Sequence, residues 1–370
     1  MSHIRDYHEI NKKIAIVGTV GVPARYGGFE SLVENLLDYN ESNIEYTIFC
    51  SSKAYQERIK FYKGAKLKYL NIEANGVASI LYDGLSLFKC INKGFDLVLL
   101  LGVSGAIFLP FLKPFLRSKL ICNIDGIEWK RDKWSFSAKK FLKISESLAI
   151  KYSDQIITDN KGISDYVKTS YKIKSTTIAY GADQIEVSEN ELLKKYNLQK
   201  EGYFFKVCRI EPENNIELIL KVFSELNNHK LVIVGNWDNS EFGKEMRKSF
   251  SKFPNLVLIN PIYDVYKLNQ LRANCKGYIH GHSAGGTNPS LVEAMSLKIP
   301  IIAFDVNFNR YSLEQNGVYF KTENDLSRII TEFDTKEFSE DIQKIFKTYK
   351  DCYTRERIAE QYANLFLNTC

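Results

Sequence analysis

One stretch near the C-terminal end of the sequence combines residue types that bind phosphate groups and sugar hydroxyls. In HGHSAGGTNPSLVEAM, residues 280–295, two glycines precede Asn288, Pro289 and then Glu293. Asn288 suits a helix N-cap and Pro289 suits the first helical turn, so the spacing predicts a loop that leads into a helix. Backbone N–H groups at such a helix start bind anions. Glu293 lies about one turn inside, where a carboxylate can accept hydrogen bonds from ribose hydroxyls; the alternative is a tight turn and a charge that stabilises the helix start.

Two further turns could hold anionic groups. In CRIEPENN, residues 208–215, Arg209 ends an apolar run, and arginine binds phosphate through paired hydrogen bonds. The alternative for Arg209 is a surface salt bridge. In GTVGVPARYGGFE, residues 18–30, Gly27 and Gly28 precede a predicted helix, but the spacing is not Gly-x-Gly-x-x-Gly, so a dinucleotide fingerprint is absent. The alternative there is a plain loop.

Carboxylates follow another apolar run. In NIDGIEWKRDKW, residues 123–134, Asp125 and Glu128 come after a predicted strand, and two tryptophans flank three basic residues. A carboxylate at this position can orient or deprotonate a substrate hydroxyl. The alternatives are a helix N-cap for Asp125 and a solvated run of charges for the rest.

Two series of short apolar strands, separated by helical stretches, must position these turns. Continuous apolar strands are typical of parallel sheets covered on both faces. The two series predict an α/β protein with two Rossmann-like, doubly wound domains, residues 1–185 and 186–349. Helical spacing in residues 350–370 predicts a last helix that packs back on the first domain. The runs are KIAIVG, YTIFC, DLVLLLG, KLICNID and QIITD in the first series and YFFKVCR, KLVIVG, NLVLIN, GYIHG and PIIAF in the second.

All four motifs lie at turns that follow a predicted strand. Open α/β sheets bind ligands at the carboxyl ends of their strands. We therefore expect the two domains to face a central cleft that is lined by the motifs.

Composition narrows the class of protein. Apolar residues make up 45% and charged residues 25% of the 370 residues, which is ordinary for globular domains and excludes low-complexity classes. The seven cysteines are scattered without a Cys-x-x-Cys pair, which indicates reduced thiols and argues against zinc. Neither a signal peptide nor a membrane-spanning run is predicted, so we expect a cytoplasmic protein.

Basic residues are concentrated in the first domain. The net charge is +6, and residues 51–150 hold 17 basic against 8 acidic side chains. Residues 108–120 and 129–143 mix large apolar side chains with lysine and arginine, which suits the surface of an anionic bilayer. The alternative is a buried helix with solvated lysines. No recognised nucleic-acid-binding module accompanies these basic residues. Because they are mixed with large apolar side chains, we expect a peripheral protein on the inner face of the plasma membrane.

The stretches at residues 18–30, 123–134, 209–220 and 280–295 resemble, in order and spacing, glycosyltransferase family 4 of the GT-B fold. More narrowly, they resemble its bacterial rhamnosyltransferase-type subgroup, which builds capsule and other surface polysaccharides. The resemblance implies transfer from a nucleotide-activated sugar with retention of anomeric configuration and without a metal or other cofactor. It also implies dTDP-L-rhamnose as donor and a polyprenyl-diphosphate-linked saccharide as acceptor.

The resemblance also assigns roles to residues. It implies that Glu293 binds the ribose, Arg209 binds the departing diphosphate, and Asp125 acts on the acceptor. Gly285 stands where the family has the first of two glutamates, and Asn214 stands where it has a lysine, so the diphosphate must depend more on Arg209 and on backbone N–H groups. The expected donor contacts are Gly27, Gly28, Arg209, Asn214, Gly285, Gly286, Thr287, Asn288, Ser290, Leu291 and Glu293, and the expected acceptor contacts are Arg25, Tyr26, Phe29, Glu30, Asp125, Glu128 and Arg131.

Two other functions fit the same predicted fold. One is a nucleotide-sugar epimerase, which would change the donor sugar without an acceptor. The other is a catalytically inactive partner subunit that binds a nucleotide sugar, which the departures at Gly285 and Asn214 would explain.

Overall fold

The chain divides into two compact units in the computed structural model, which describes residues 12–24, 27–40, 43–131, 134–184 and 191–369. Unit 1 consists of Met1–Ala179 and Arg355–Cys370, and unit 2 consists of Tyr180–Thr354. No helix within the described ranges is long and apolar enough to cross a bilayer.

The sheet of unit 1 has eight strands. They are β1 (Lys12–Val17), β2 (Ile44–Ser51), β3 (Phe61–Tyr62), β4 (Ala65–Leu70), β5 (Leu97–Leu101), β6 (Lys119–Asn123), β7 (Gln155–Thr158) and β8 (Thr176–Thr177). Their spatial order is β3-β4-β2-β1-β5-β6-β7-β8, and all neighbours are parallel except β3 and β4. The five predicted runs are confirmed as β1, β2, β5, β6 and β7. Sequence analysis missed β3, β4 and β8, which lie toward the edges.

Helices connect these strands, and two of them begin at a polar side chain that accepts a backbone hydrogen bond. Ser135 caps one helix, and Asn160 caps the next by accepting from the Gly162 N–H at 2.8 Å. Such caps satisfy N–H groups that have no partner within the helix. The helices are α1 (Gly28–Asp38), α2 (Ala78–Cys90), α3 (Leu109–Leu112), α4 (Phe136–Tyr152) and α5 (Lys161–Tyr171), with 3₁₀ turns at Ser104–Phe108, Lys113–Phe115 and Glu128–Lys130.

Unit 2 has a six-stranded sheet that is parallel throughout. Its strands are β9 (Phe204–Val207), β10 (Leu231–Val234), β11 (Leu256–Ile259), β12 (Gly277–His280), β13 (Ile301–Phe304) and β14 (Val318–Phe320). Its helices are α6 (Glu191–Lys195), α7 (Ile216–Glu225), α8 (Glu241–Phe250), α9 (Val265–Ala273), α10 (Pro289–Met295), α11 (Asn307–Ser312), α12 (Glu323–Thr331) and α13 (Ser339–Cys352). Two 3₁₀ turns lie at Pro212–Asn214 and Phe333–Thr335. The strand order is β11-β10-β9-β12-β13-β14. The five predicted runs are confirmed as β9 to β13, and only the edge strand β14 was missed.

The last helix, α14 (Arg355–Asn368), belongs to unit 1. The Lys12 amine, at the start of β1, donates to the carbonyl oxygens of Phe366 and Leu367 in the last turn and of Thr369 just after it, at 2.6 to 3.1 Å. Farther along the helix, Tyr362 is buried, and its hydroxyl accepts a hydrogen bond from Asn123 Nδ2 at 2.8 Å. A cation at the last carbonyls of a helix offsets their partial negative charge. These bonds attach α14 to the sheet of unit 1.

Candidate functional site

In the sheet of unit 2, the direction in which successive strands are added reverses between the neighbouring strands β9 and β12. From β9 the chain passes through α7 to β10 on one side, and from β12 it passes through α10 to β13 on the other. The connections that follow β9 and β12 therefore lead to opposite sides of the sheet, which is the arrangement that forms a crevice at the carboxyl ends of these strands. Open α/β sheets bind ligands at such a switch point. The candidate site of unit 2 lies here.

Hydrogen bonds hold the two loops of the crevice together. Ser283 donates its N–H and its hydroxyl to the Glu213 carbonyl oxygen, both at 2.9 Å. Asn215 donates its amide to the Gly281 carbonyl oxygen at 2.7 Å. These bonds join the loop after β9 to residues 281–288, which we call the glycine loop. Both walls of the crevice are thereby held in register.

Arg209 and Asn214, both expected to contact the donor, lie in the loop after β9. The Arg209 side chain is 45% exposed, and its nearest carboxylate oxygen, on Glu211, is 3.9 Å away. Its guanidinium therefore remains accessible to an anion. Asn214 is buried; its Nδ2 donates to the Arg209 carbonyl oxygen at 2.9 Å, and its Oδ1 lies 3.1 Å from His282 Nδ1. The side chain of Asn214 thus connects the loop after β9 to His282 of the glycine loop.

The start of α10 matches the predicted cap. Asn288 Oδ1 accepts hydrogen bonds from the Ser290 N–H at 3.0 Å and the Ser290 hydroxyl at 2.8 Å, which confirms Asn288 as N-cap. The Leu291 N–H donates to the Asn288 carbonyl oxygen at 3.0 Å. The N–H groups of Ser290 and Leu291 are therefore already bonded. Within the described ranges, the N–H groups of Gly285, Gly286 and Asn288 donate to no protein acceptor.

Backbone geometry explains the glycine at position 285. Gly285 has φ +94°, a value that residues with side chains rarely adopt. The residue is buried, as is Thr287 two positions later. A glutamate at position 285 would strain this backbone, so the departure from the family pattern belongs to the shape of the glycine loop.

Glu293 is held by an arginine that sequence analysis did not single out. Arg272, on α9, donates from Nη2 to Glu293 Oε2 at 2.6 Å; its side chain is fully buried, whereas that of Glu293 is 33% exposed. Asn269 Oδ1 also accepts a hydrogen bond from Arg272, and the guanidinium lies 5.8 Å from the centre of the Tyr278 ring. The sequence offers only one sign that Arg272 is buried: it directly follows Leu271, an apolar residue of the same helix.

In unit 1 the corresponding switch point lies between β1 and β5, and the loop that follows β1 is described at residues 18–24 and at Gly27. Gly27 is the N-cap of α1, and Gly28 is its exposed first residue. Glu30 is buried, and its Oε1 accepts hydrogen bonds from the Val20 N–H at 2.9 Å and from the Thr19 hydroxyl at 3.2 Å. Glu30 therefore stabilises the loop from within.

Three more of the expected acceptor residues come from the same sequence motif, residues 18–30. Phe29 is half-buried, and its ring lies over Gly102 at the end of β5. Arg25 and Tyr26 lie outside the described residues. The structure thus places Phe29 at the switch point of unit 1.

The loop after β6 carries the expected acceptor residues Asp125, Glu128 and Arg131. Asp125 is half-buried with φ +57°, and its N–H donates to Asn123 Oδ1 at 2.9 Å. Residues with side chains adopt this backbone conformation at an energetic cost and often at functional sites. Glu128 pairs with Arg131 at 3.1 Å and accepts a hydrogen bond from Trp134 Nε1 at 3.1 Å. Glu128 and Arg131 therefore stabilise the loop beside Asp125.

Two family models together match nearly all of the chain. Residues 11–183 match the family described as "Domain of unknown function (DUF1972)". Residues 188–362 match the family described as "Glycosyl transferases group 1". The chain carries a group 1 glycosyltransferase domain. No curated protein matches the sequence.

Solved structures show that the fold of this glycosyltransferase is GT-B, with two Rossmann-like domains. Sucrose-phosphate synthase from Thermosynechococcus elongatus has a TM-score of 0.80 at 14% identity and covers 96% of this chain and 98% of its own. HepE of Anabaena, solved with UDP and glucose, has a TM-score of 0.73 at 15% identity and covers 96% and 99%. A glycosyltransferase from Rickettsia africae has a TM-score of 0.71 at 14% identity and covers 97% and 100%.

Proposed function

We propose that this glycosyltransferase belongs to family 4 and moves L-rhamnose from dTDP-L-rhamnose to a polyprenyl-diphosphate-linked saccharide. The product would serve the synthesis of capsule or another surface polysaccharide, and the reaction would retain the anomeric configuration without a metal ion. One observation carries the proposal: the crevice between β9 and β12 brings together an accessible arginine, unbonded amide groups and a half-buried carboxylate. These groups suit a diphosphate and the pentose beside it.

The donor is assigned to unit 2. Arg209 and the N–H groups of Gly285, Gly286 and Asn288 would stabilise negative charge on the departing diphosphate. Donors that are already oriented toward developing charge lower an activation barrier most effectively in a site shielded from water. Glu293 would accept a hydrogen bond from the pentose.

One feature favours a deoxy sugar in this donor. Gly285 presents no side chain toward the transferred sugar, which suits a 6-deoxyhexose with one hydroxyl fewer than a hexose. HepE was solved with UDP and glucose, so UDP-glucose is the natural comparison donor.

The acceptor is assigned to unit 1, at the loops that follow β1 and β6. Asp125 would orient the acceptor hydroxyl, and the leaving phosphate would take up its proton. The tight turn at Asp125 supports this role, because the bond from the Asp125 N–H to Asn123 Oδ1 holds the backbone that carries the carboxylate. In this arrangement the protein supplies orientation and charge, and the substrate supplies the base.

Donor screening followed by transfer tests the proposal. We expect dTDP-L-rhamnose to raise the melting temperature more than UDP-glucose does. After transfer to a polyprenyl-diphosphate-linked sugar, we expect the new linkage to have the same anomeric configuration as the donor. Arg209→Ala and Glu293→Gln should each lower kcat/KM at least about tenfold, or about 1.4 kcal/mol in the barrier. Arg328→Ala, an exposed arginine on α12, is the matched control.

The other outcomes identify the alternatives. A changed sugar after incubation of the donor alone would indicate an epimerase. Nucleotide binding without turnover on any acceptor would indicate an inactive partner subunit. Wild-type rates in Arg209→Ala and Glu293→Gln would refute the site assignment, and preference for UDP-glucose would refute the donor.

We further propose that unit 1 contacts an anionic membrane at the cytoplasmic face. In residues 108–120, Leu109 and Leu116 are buried, whereas Phe111 and Phe115 are 73% and 65% exposed. The helices α2 and α4 both pack against the 3₁₀ turn Ser104–Phe108, so their exposed side chains lie on neighbouring elements. The exposed large apolar residues of this region, which we call the apolar face, are Val77, Leu81, Phe88, Phe111, Phe115, Phe136 and Ile144.

Sedimentation with vesicles of phosphatidylglycerol and phosphatidylcholine tests this surface. Lys113 forms an ion pair with Asp154, so Arg117 and Lys119 are the better residues to neutralise. Changing both to Gln should weaken binding about fivefold for each charge, since each contributes about 1 kcal/mol.

An apolar variant completes the test. Phe111→Ser with Phe115→Ser should weaken vesicle binding in high salt as well as in low salt, because burial of apolar surface is not screened. Tyr263→Ser, an exposed aromatic of unit 2, is the control. Unchanged binding of the Phe variant would leave the apolar face without a membrane role.

A further inference from the structure

Unit 2 contains a buried lysine in the middle of its sheet. Lys206 lies on β9 between β10 and β12, opposite Ile233 of β10, and is only 1% exposed. Lysine is almost never buried to this extent unless it has a partner, because its charge loses hydration. Sequence analysis read this position as part of an apolar strand.

No carboxylate among the described residues pairs with the Lys206 amine. Within the described ranges, Lys206 forms no ion pair and no hydrogen bond. The titratable groups that influence it are Cys208 and His280. Burial raises the pKa of the Cys208 thiol, and burial together with the Lys206 charge holds the pKa of His280 well below its usual value, so both are neutral near pH 7. Burial likewise lowers the pKa of Lys206.

The amine points to the base of the glycine loop. A β-carbon built on Gly281, the first residue of that loop, would lie 2.9 Å from Lys206 Nζ. Nearby, His280 is buried, and its Nε2 has no hydrogen-bond partner in the described part of the chain. The glycine loop also carries the three unbonded amide groups described above. The end of β12 and the glycine loop that follows it thus carry several polar groups without a partner among the described residues, and each could interact with an anion or with water.

We propose that Lys206 is the buried counter-cation for the diphosphate of the nucleotide donor. The proposal rests on the proposed function, because it names a further residue of the same donor site. A diphosphate on the glycine loop would supply the negative charge that the protein leaves out. Binding of the diphosphate would offset the free-energy cost of the buried amine. The attraction between the two charges would be strong, because their surroundings are poorly hydrated. Lys206 would thus compensate for Asn214, whose amide is used inside the protein.

Lys206→Met tests the proposal, because methionine is similar in length and carries no charge. An unpaired buried charge destabilises a fold, so we expect the melting temperature of the ligand-free protein to rise by about 2 °C or more. We expect the affinity for dTDP, UDP and inorganic pyrophosphate, measured by isothermal titration calorimetry, to fall about tenfold or more. Lys248→Met, at an exposed position of α8, should change neither quantity.

The outcomes separate this proposal from the proposed function. If Lys206→Met and the shorter Lys206→Leu both melt at lower temperature than wild type, the amine stabilises the fold and the proposal is wrong. If wild type transfers sugar but Lys206→Met binds the diphosphates equally well, the proposal fails and the proposed function stands. If wild type binds pyrophosphate through Lys206 but binds neither nucleotide, the diphosphate site stands and the proposed function fails.

Discussion

The ion pair between Arg272 and Glu293 predicts an unequal response to the loss of either partner. The Arg272 side chain is fully buried, whereas one third of the Glu293 side chain is exposed. Glu293→Ala would leave a buried guanidinium without its counter-charge. Arg272→Met would leave a carboxylate that water can reach. We therefore expect Glu293→Ala to destabilise unit 2 more than Arg272→Met does.

The magnitudes follow from burial. Removing one partner of a buried pair costs roughly 3–5 kcal/mol, and we expect the lower end because Glu293 is partly exposed. In Arg272→Met, loss of the hydrogen bond to Glu293 costs about 1.5 kcal/mol and loss of the hydrogen bond to Asn269 adds about 1 kcal/mol. At about 2–4 °C per kcal/mol for a domain of this size, Glu293→Ala should lower the melting temperature by about 6 °C or more.

Scanning calorimetry of the single variants and the double variant measures the difference. The double variant should be more stable than Glu293→Ala, because it removes the stranded charge together with its partner. Glu217→Ala, which breaks an exposed pair with Lys221 on α7, should melt close to wild type. The reasoning is refuted if Glu293→Ala costs no more than Arg272→Met.

This coupling changes how Glu293 can be tested in catalysis. Besides the ribose contact that the resemblance implies, Glu293 neutralises Arg272 inside the protein. Replacement of Glu293 by Ala would remove both interactions at once. Glu293→Gln keeps an oxygen for Arg272 and is therefore the better variant for kinetics.

Two predictions concern unit 1. Lys12→Met should loosen α14, because the carbonyl groups at the end of the helix lose their hydrogen-bond donor. The rate of amide hydrogen exchange in residues 355–369 should rise about tenfold, as a loss of about 1.4 kcal/mol implies. Unchanged protection would show that packing alone holds the helix. Burial raises the pKa of the Cys50 thiol to about 11 and that of Cys90 to about 12, so both stay protonated at pH 8. Mass spectrometry should find both unmodified by iodoacetamide until the protein is unfolded, and rapid labelling of the folded protein would contradict their burial.

The strands were predictable where the chain itself carries the signal. The ten apolar runs became β1, β2, β5, β6, β7 and β9 to β13, because strands buried on both faces consist mainly of apolar residues. The edge strand β3, Phe61–Tyr62, has an exposed phenylalanine and pairs antiparallel with its neighbour, so it lacks that pattern. Short edge strands depend on a partner strand more than on their own composition.

The candidate site was predictable in part. Asn288 was expected as an N-cap and is one, because a cap depends on residues two and three positions away. Asn214 was expected to contact the donor, but its amide bonds to His282, 68 residues away in sequence. Glu30 was expected at the acceptor, but its carboxylate bonds within its own loop. Their contacts with substrates remain predictions.

The sequence by itself determined what neighbouring residues along the chain control: the apolar strands, the helix starts and the turns that bear polar groups. Only the tertiary structure decided which of those polar groups remain accessible. Arg272 of α9 meets Glu293 of α10, which is 21 residues away in sequence. Lys206 reaches Gly281 because β9 and β12 lie side by side, although about 70 residues separate these strands in sequence. Burial then decides the chemistry, since a charge removed from water must find a partner in the fold or in a ligand.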